Sequence, residues 1–247
     1  MHDFSDYAVY FFYIQHMRHA LTHVHPRMLW AILGFIVASL FCVSVVLAQT
    51  STSEFTQEIT ADNLTVSIVD SDFATVGSPS FTMGASTFSF DCTTSTGIFG
   101  ATSTQMIYVQ NPDAADGGWT LTFAAAATTT LWEGATYDMD FNDAGITSGC
   151  PSNADNDAES GRLHVYPNTG ILAAGQCGSC TTSDISLGSS AGFQADTVDD
   201  ITILSAAAGS DDIGDWTLTN VMLQQAIPEG QQPDSYTIDL VLTVASS

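Results

Sequence analysis

Large apolar side chains at every second position are what most limits how this chain can fold. In Gly117-Gly118-Trp119-Thr120-Leu121-Thr122-Phe123, the side chains of Trp119, Leu121 and Phe123 fall on one side of an extended strand. Thr120 and Thr122 fall on the other. Three such groups need one dry surface, and a tryptophan alone buries roughly 200 Å². The pattern recurs in Leu64, Val66 and Ile68, in Ile107 and Val109, in Ile201 and Ile203, and in Trp216 and Leu218. It closes the chain in Tyr236, Ile238, Leu240, Leu242 and Val244. Phe81 with Met83, and Phe88 and Phe90 with Cys92, mark two further strands, followed by a Thr/Gly loop over residues 93–100. No stretch after residue 60 repeats apolar residues at i, i+3, i+4, i+7, and Gly, Pro, Asn and Asp stand between the strands. The expected fold is all-β, an antiparallel sandwich of Greek-key or jelly-roll type.

The amino terminus follows a different rule. Residues 29–48 are an almost unbroken apolar run, preceded by Arg18 and Arg27 and ending Val46-Leu47-Ala48. Residues 1–48 therefore read as a secretory signal cleaved after Ala48; left uncleaved, the same run is long enough to be a membrane-anchoring helix. Residues 49–60 are a Ser/Thr-rich flexible lead-in or edge strand, and residues 61–247 a single domain. The expected location is secreted or at the cell surface, with membrane contact only through an uncleaved helix.

The formal net charge is −24. Lysine is absent, and the cations are Arg18, Arg27 and Arg162, of which only Arg162 lies beyond the signal. Such a chain repels nucleic acid, which is held by phosphate-neutralising cations. Without lysine it forms neither a Schiff base nor a Lys–Asn isopeptide cross-link. The acidity favours solubility and divalent cations.

Two acidic runs have oxygen donors at every second position, the spacing with which a loop wraps calcium. One is Asn153, Asp155, Asp157 and Glu159; the other is Asp138, Asp140 and Asn142. The plain readings are a soluble loop for the former and the wet face of a strand for the latter. Four cysteines follow the signal: Cys92, Cys150, Cys177 and Cys180. An even number in an exported chain reads as disulfides, with three connectivities open. Cys177-Gly178-Ser179-Cys180 has redox spacing, but no flanking cation lowers a thiol pKa, so a structural role is expected. His164, between Leu163 and Val165, projects away from their face and reads as a surface or edge histidine. No nucleophile-elbow sequence accompanies it. Trp119 and Trp216 read as core, and Trp132 as the exposed tryptophan.

Asn111-Pro112, then Gly117-Gly118-Trp119-Thr120-Leu121-Thr122, a long acidic middle, and Tyr236 with Leu240-Val241-Leu242 at the carboxyl end together resemble the WxL domain of bacterial surface proteins. Trp119 and Leu121 match its first motif. Tyr236 and Leu242 match the second, where Leu240 takes the tryptophan position. Trp216-Thr217-Leu218 is an additional W-x-L. The chain also looks like secreted single-domain proteins of candidate-phylum bacteria. The resemblance implies a β-sandwich attached non-covalently to the cell envelope, with peptidoglycan or another glycan as partner. It implies adhesion or wall binding rather than catalysis; calcium at the acidic runs is the one cofactor their spacing suggests. The alternative is a structural subunit of a surface filament or layer, joined to copies of itself through edge strands at 64–68 or 236–244. A carboxylate glycosidase or Ser/His hydrolase is the weakest alternative.

Overall fold

The computed structural model describes Gln57 and residues 62–112, 117–143, 145–147, 150–152, 159–210 and 212–247, with no side chain described from 145 to 152. The amino-terminal apolar run lies outside these residues. The strands, in chain order, are β1 (Thr65–Val69), β2 (Thr93–Phe99), β3 (Met106–Asn111), β4 (Trp119–Ala125), β5 (Trp132–Glu133) and β6 (Asp138–Met139). Then come β7 (Gly145–Thr147), β8 (Cys150–Ser152), β9 (Arg162–Tyr166), β10 (Ile171–Ala174) and β11 (Ile185–Leu187). The last are β12 (Ala191–Gly192), β13 (Asp200–Ala206), β14 (Gly214–Thr219), β15 (Val221–Ile227) and β16 (Leu240–Ser246). Among the described residues the protein is all-β, and every strand pair is antiparallel.

Three four-stranded sheets carry the fold, in the orders β1-β3-β14-β10, β12-β9-β15-β2 and β11-β13-β4-β16. β14 passes directly into β15 through Asn220, whose φ of 58° takes the chain from the first sheet to the second. Asparagine tolerates this left-handed conformation better than most side chains. In the third sheet β4 is central. Leu121 pairs with Leu204 on one side and Val244 on the other, and Phe123 with Ile201 and Leu242. A register shift between Thr202 and Leu204 lets both Ile203 and Leu204 be buried, which strict alternation forbids.

One core joins the three sheets. Trp119 and Leu121 of β4, Trp216 and Leu218 of β14, Leu163 and Val165 of β9, and Val221 and Leu223 of β15 all belong to it. The expected burial of Trp119 and Trp216 holds: they are 0% and 1% exposed. β3 is buried on both faces. Ile107 and Val109 enter the main core, while Met106 and Tyr108 form a small second cluster with Val69, against which Phe73 packs.

Two stretches depart from the sequence reading. Residues 80–92 contain no strand, whereas the supposed Thr/Gly loop is β2, whose first five residues have small or polar side chains and which ends in Ile98 and Phe99. Phe81 and Met83 lie across that strand. A β-carbon on Gly97 would stand 2.8 Å from the Phe81 ring and 2.9 Å from the Met83 sulfur. The strand is therefore small because its apolar cover is supplied by the segment before it. β15 carries no strict apolar alternation, because Gln225 occupies an inward position and is 2% exposed.

Gly118 has φ +76°, and a β-carbon there would lie 2.6 Å from the Ala206 carbonyl oxygen. Gly118→Ala is expected to cost about 1–3 kcal/mol from backbone strain, and Leu121→Ala about 2–5 kcal/mol from the cavity it leaves. Urea unfolding of each variant measures both losses.

Candidate binding cleft

A cleft of about 1060 Å³ opens between edge strands of the three sheets. β1, β2 and β16 each end their sheet, and all three contribute to its walls. Its floor is core: Ile107, Ile203, Val221 and Leu223. Its rim holds Phe81, Met83, Phe123 and Trp132. The walls point inward yet stay wet. Leu240 and Leu242 alternate with exposed neighbours as the inner face of a strand should, but remain half-buried, and Val66 and Ile68 of β1 are half-buried too. Such residues reach full burial only when something covers them.

The polar groups around the cleft are largely occupied. Trp132 Nε1 donates to Gln225 Oε1 at 2.9 Å, so Trp132 is a rim residue rather than an exposed one. Gln225 Nε2 in turn donates to the Asp140 carbonyl at 2.9 Å. Gln231 Nε2 donates to the Asp138 carbonyl at 2.9 Å and the Tyr236 hydroxyl at 2.7 Å. Tyr236 Oη donates to the Gln232 carbonyl at 2.5 Å, and burial pushes its pKa up. Asp234 accepts from the backbone of Ser235 and Thr136, which holds its pKa below the usual carboxylate value. What the cleft offers is mainly apolar surface, with the carboxylates of Asp234 and Asp239 among its lining groups.

Of the first acidic run, Asn153, Asp155 and Asp157 fall outside the described residues, and Glu159 is half-buried. The other run is not the wet face of a strand. Asp140 and Asn142 are buried and Asp138 half-buried, because residues 140–143 run alongside 160–163. Asp140 Oδ1 accepts from the Phe141 amide at 2.6 Å, and Asn142 Nδ2 donates to the Thr128 carbonyl at 2.9 Å. The neighbouring Asp143 accepts from the Gly161 amide at 2.8 Å.

Cys177 and Cys180 are joined in a disulfide, and Cys92 is also disulfide-bonded; Cys150 lies in β8, where no side chain is described. Cys177, Cys180 and Asp215 place potential metal-binding atoms within 4.8 Å of one another, but both sulfurs are committed to the disulfide. Asp215 acts here as an anchor for the loop. It accepts from the amides of Gln176 and Cys177 at 2.6 and 2.8 Å, and from Tyr108 Oη at 2.5 Å. Burial first, then the Asp215 carboxylate, pushes the Tyr108 pKa up to about 12.

His164 is not at an edge. β9 is an interior strand of its sheet, and the half-buried ring stacks on Tyr166 at 6.2 Å over Gly192, where a β-carbon would sit 2.6 Å from Nε2. Among the described residues no serine hydroxyl hydrogen-bonds it. Burial, and secondarily the nearby Arg162, lower its pKa.

These shifts fix two pH dependences. Tyr108 is held protonated in the fold, so its contribution is complete below the ordinary value of about 10 and is lost as pH rises toward 12. Tyr108→Phe is expected to lose about 1.5–3 kcal/mol at neutral pH, as a hydrogen bond to a carboxylate is removed. It should also shrink the alkaline fall in urea midpoint, leaving the smaller share from Tyr236. His164 is held neutral, so its contribution is complete above about pH 6.5 and is lost as pH falls. His164→Gln is expected to flatten the decline in midpoint between pH 7 and 5.5.

Compared with protein-family models, curated proteins and solved structures, the chain matches none of them.

Proposed function

We propose that this is an exported, non-catalytic protein of the cell envelope, a Greek-key or jelly-roll sandwich that works by holding a partner in the cleft between β1, β2 and β16. The observation that carries the reading is the ring of inward-pointing apolar residues left half-buried around about 1060 Å³ of open space. Apolar surface kept from water is worth roughly 25 cal/mol per Å². An occupant that covers these walls recovers what the fold leaves unburied, and concave apolar sites with few polar groups are where proteins bind. Export is supported by the apolar run at 29–48 and by the Cys177–Cys180 disulfide, which suits an oxidising compartment.

Kinship with the WxL domain is retained with an architectural meaning for its motifs. Trp119 and Trp216 face each other inside the core, so neither indole is available to stack on a sugar. Contact with a wall glycan would fall to other surface residues. A structural role, as a subunit joined to its own copies, is favoured by the three sheet edges that border the cleft.

The exported protein is expected to sediment with purified envelopes and, as a monomer with its cleft free, to bind the neutral dye Nile red. Leu242→Asp, in the cleft wall, should reduce both about tenfold while leaving the folded circular-dichroism signal in place. Wild-type protein that stays wholly in the supernatant and leaves the dye dark would overturn the proposal.

A further inference from the structure

We propose that the cleft is filled by a β-strand from a second copy of this chain, residues 53–61, so that subunits link head to tail. This rests on the reading of the cleft as the binding site and names its occupant.

The first argument is the edge itself. β16 ends its sheet with the sequence Leu-Val-Leu-Thr-Val-Ala-Ser, and among the described residues no backbone hydrogen bond reaches its outer side. Proteins that keep such an edge single protect it with lysine, proline, a bulge or an inward charge. β16 has none of these, and the chain has no lysine at all. The other two edges are partly covered: the Ile68 carbonyl accepts from Val76 at 2.9 Å, and the Thr96 carbonyl from Gly84 at 2.8 Å. An open main-chain edge beside an open apolar floor is the combination that strand addition uses. The backbone supplies the ladder, and alternate side chains fill the floor.

The second argument is the occupant's sequence. Residues 53–61 read Ser-Glu-Phe-Thr-Gln-Glu-Ile-Thr-Ala. Phe55, Ile59 and Ala61 fall on one side with Ser53 and Gln57; Glu54, Thr56, Glu58 and Thr60 fall on the other. One face suits the floor and the other suits water. Nine residues of strand reach about 30 Å, more than the length of β16.

The third argument concerns which copy supplies the strand. The segment leads straight into β1, whose Val66 and Ile68 line the cleft. A two-residue hairpin back onto β1 requires positive φ at its turn. Asp62 and Asn63 do not adopt it; among the described residues the non-glycine positions that do are Phe73, Asp196 and Asn220. Donation to the next subunit needs no such turn. It is a heterologous contact, which extends rather than closes. Because every copy is strongly anionic, salt that screens their repulsion should promote it.

The test uses the protein purified as exported. Light scattering after size exclusion is expected to show multimers, with a larger share at 500 than at 50 mM NaCl. The double variant Phe55→Asp, Ile59→Asp should run as a monomer at both, and a synthetic peptide of residues 53–61 should bind it and displace Nile red. A wild-type monomer at both salts, or multimers that the double variant leaves intact, overturns the proposal. A monomer whose cleft admits Nile red only after the double substitution places the strand in its own cleft and also overturns it. If the dye binds and the peptide does not displace it, this inference falls and the cleft stands as a site for another ligand. If neither binds, the cleft reading falls with it.

Discussion

The contact on which the rest depends is the one between Trp119 and Trp216. Their rings lie 5.7 Å apart at 40°, one on the central strand of the third sheet and one on an interior strand of the first. Two indoles fill more space than any aliphatic pair, so this contact sets how the two sheets face each other. It has a polar consequence on each side. Trp216 Nε1 donates to the Thr181 carbonyl at 2.8 Å, which ties the segment after the disulfide to the core, whereas Trp119 Nε1 meets no acceptor among the described residues. An unmet buried donor costs about 1–3 kcal/mol, which the burial of a whole indole offsets. One residue earlier on β14, Asp215 points to the opposite side and gathers Tyr108 and the Cys177–Cys180 loop. A single dipeptide thus anchors both faces of that strand.

Where both faces of a strand have distinct neighbours, the sequence is easy to read. Trp119-Thr120-Leu121-Thr122 alternates because one side is core and the other is not, and β14 and the inner face of β16 follow the same rule. Legibility fails where burial is arranged between segments. β2 has no apolar alternation of its own, since Phe81 and Met83 cover Gly97 from outside the sheet. β15 hides behind Gln225, whose amide is satisfied by Trp132 and Asp140 and is therefore cheap to bury. Asp140 and Asn142 look like wet residues by type and are buried with backbone partners, the Phe141 amide for Asp140 and the Thr128 carbonyl for Asn142. The cleft is legible in no single segment. It is a gap between three edges far apart in the chain, and its only local sign is a set of apolar residues less buried than their alternation demands.

That gap leaves apolar surface facing water. Phe90 is 81% exposed, its ring edge to face at 5.0 Å with that of Phe88 on the cleft's border, so apolar surface is open beyond the cleft as well. A protein with a bare strand edge and exposed aromatics ordinarily risks association without control. Lysines at an edge oppose pairing locally and at every salt concentration in which they stay hydrated. This chain instead carries its opposition as a net charge of −24 spread over the whole molecule. Repulsion of that kind acts at a distance and fades as the Debye length shrinks, from about 30 Å at 0.01 M to about 8 Å at 0.15 M. It keeps copies apart in dilute, low-salt conditions yet leaves the edge chemically intact. A surface protected in this way is silent or adhesive according to its ionic surroundings, with no change in its fold.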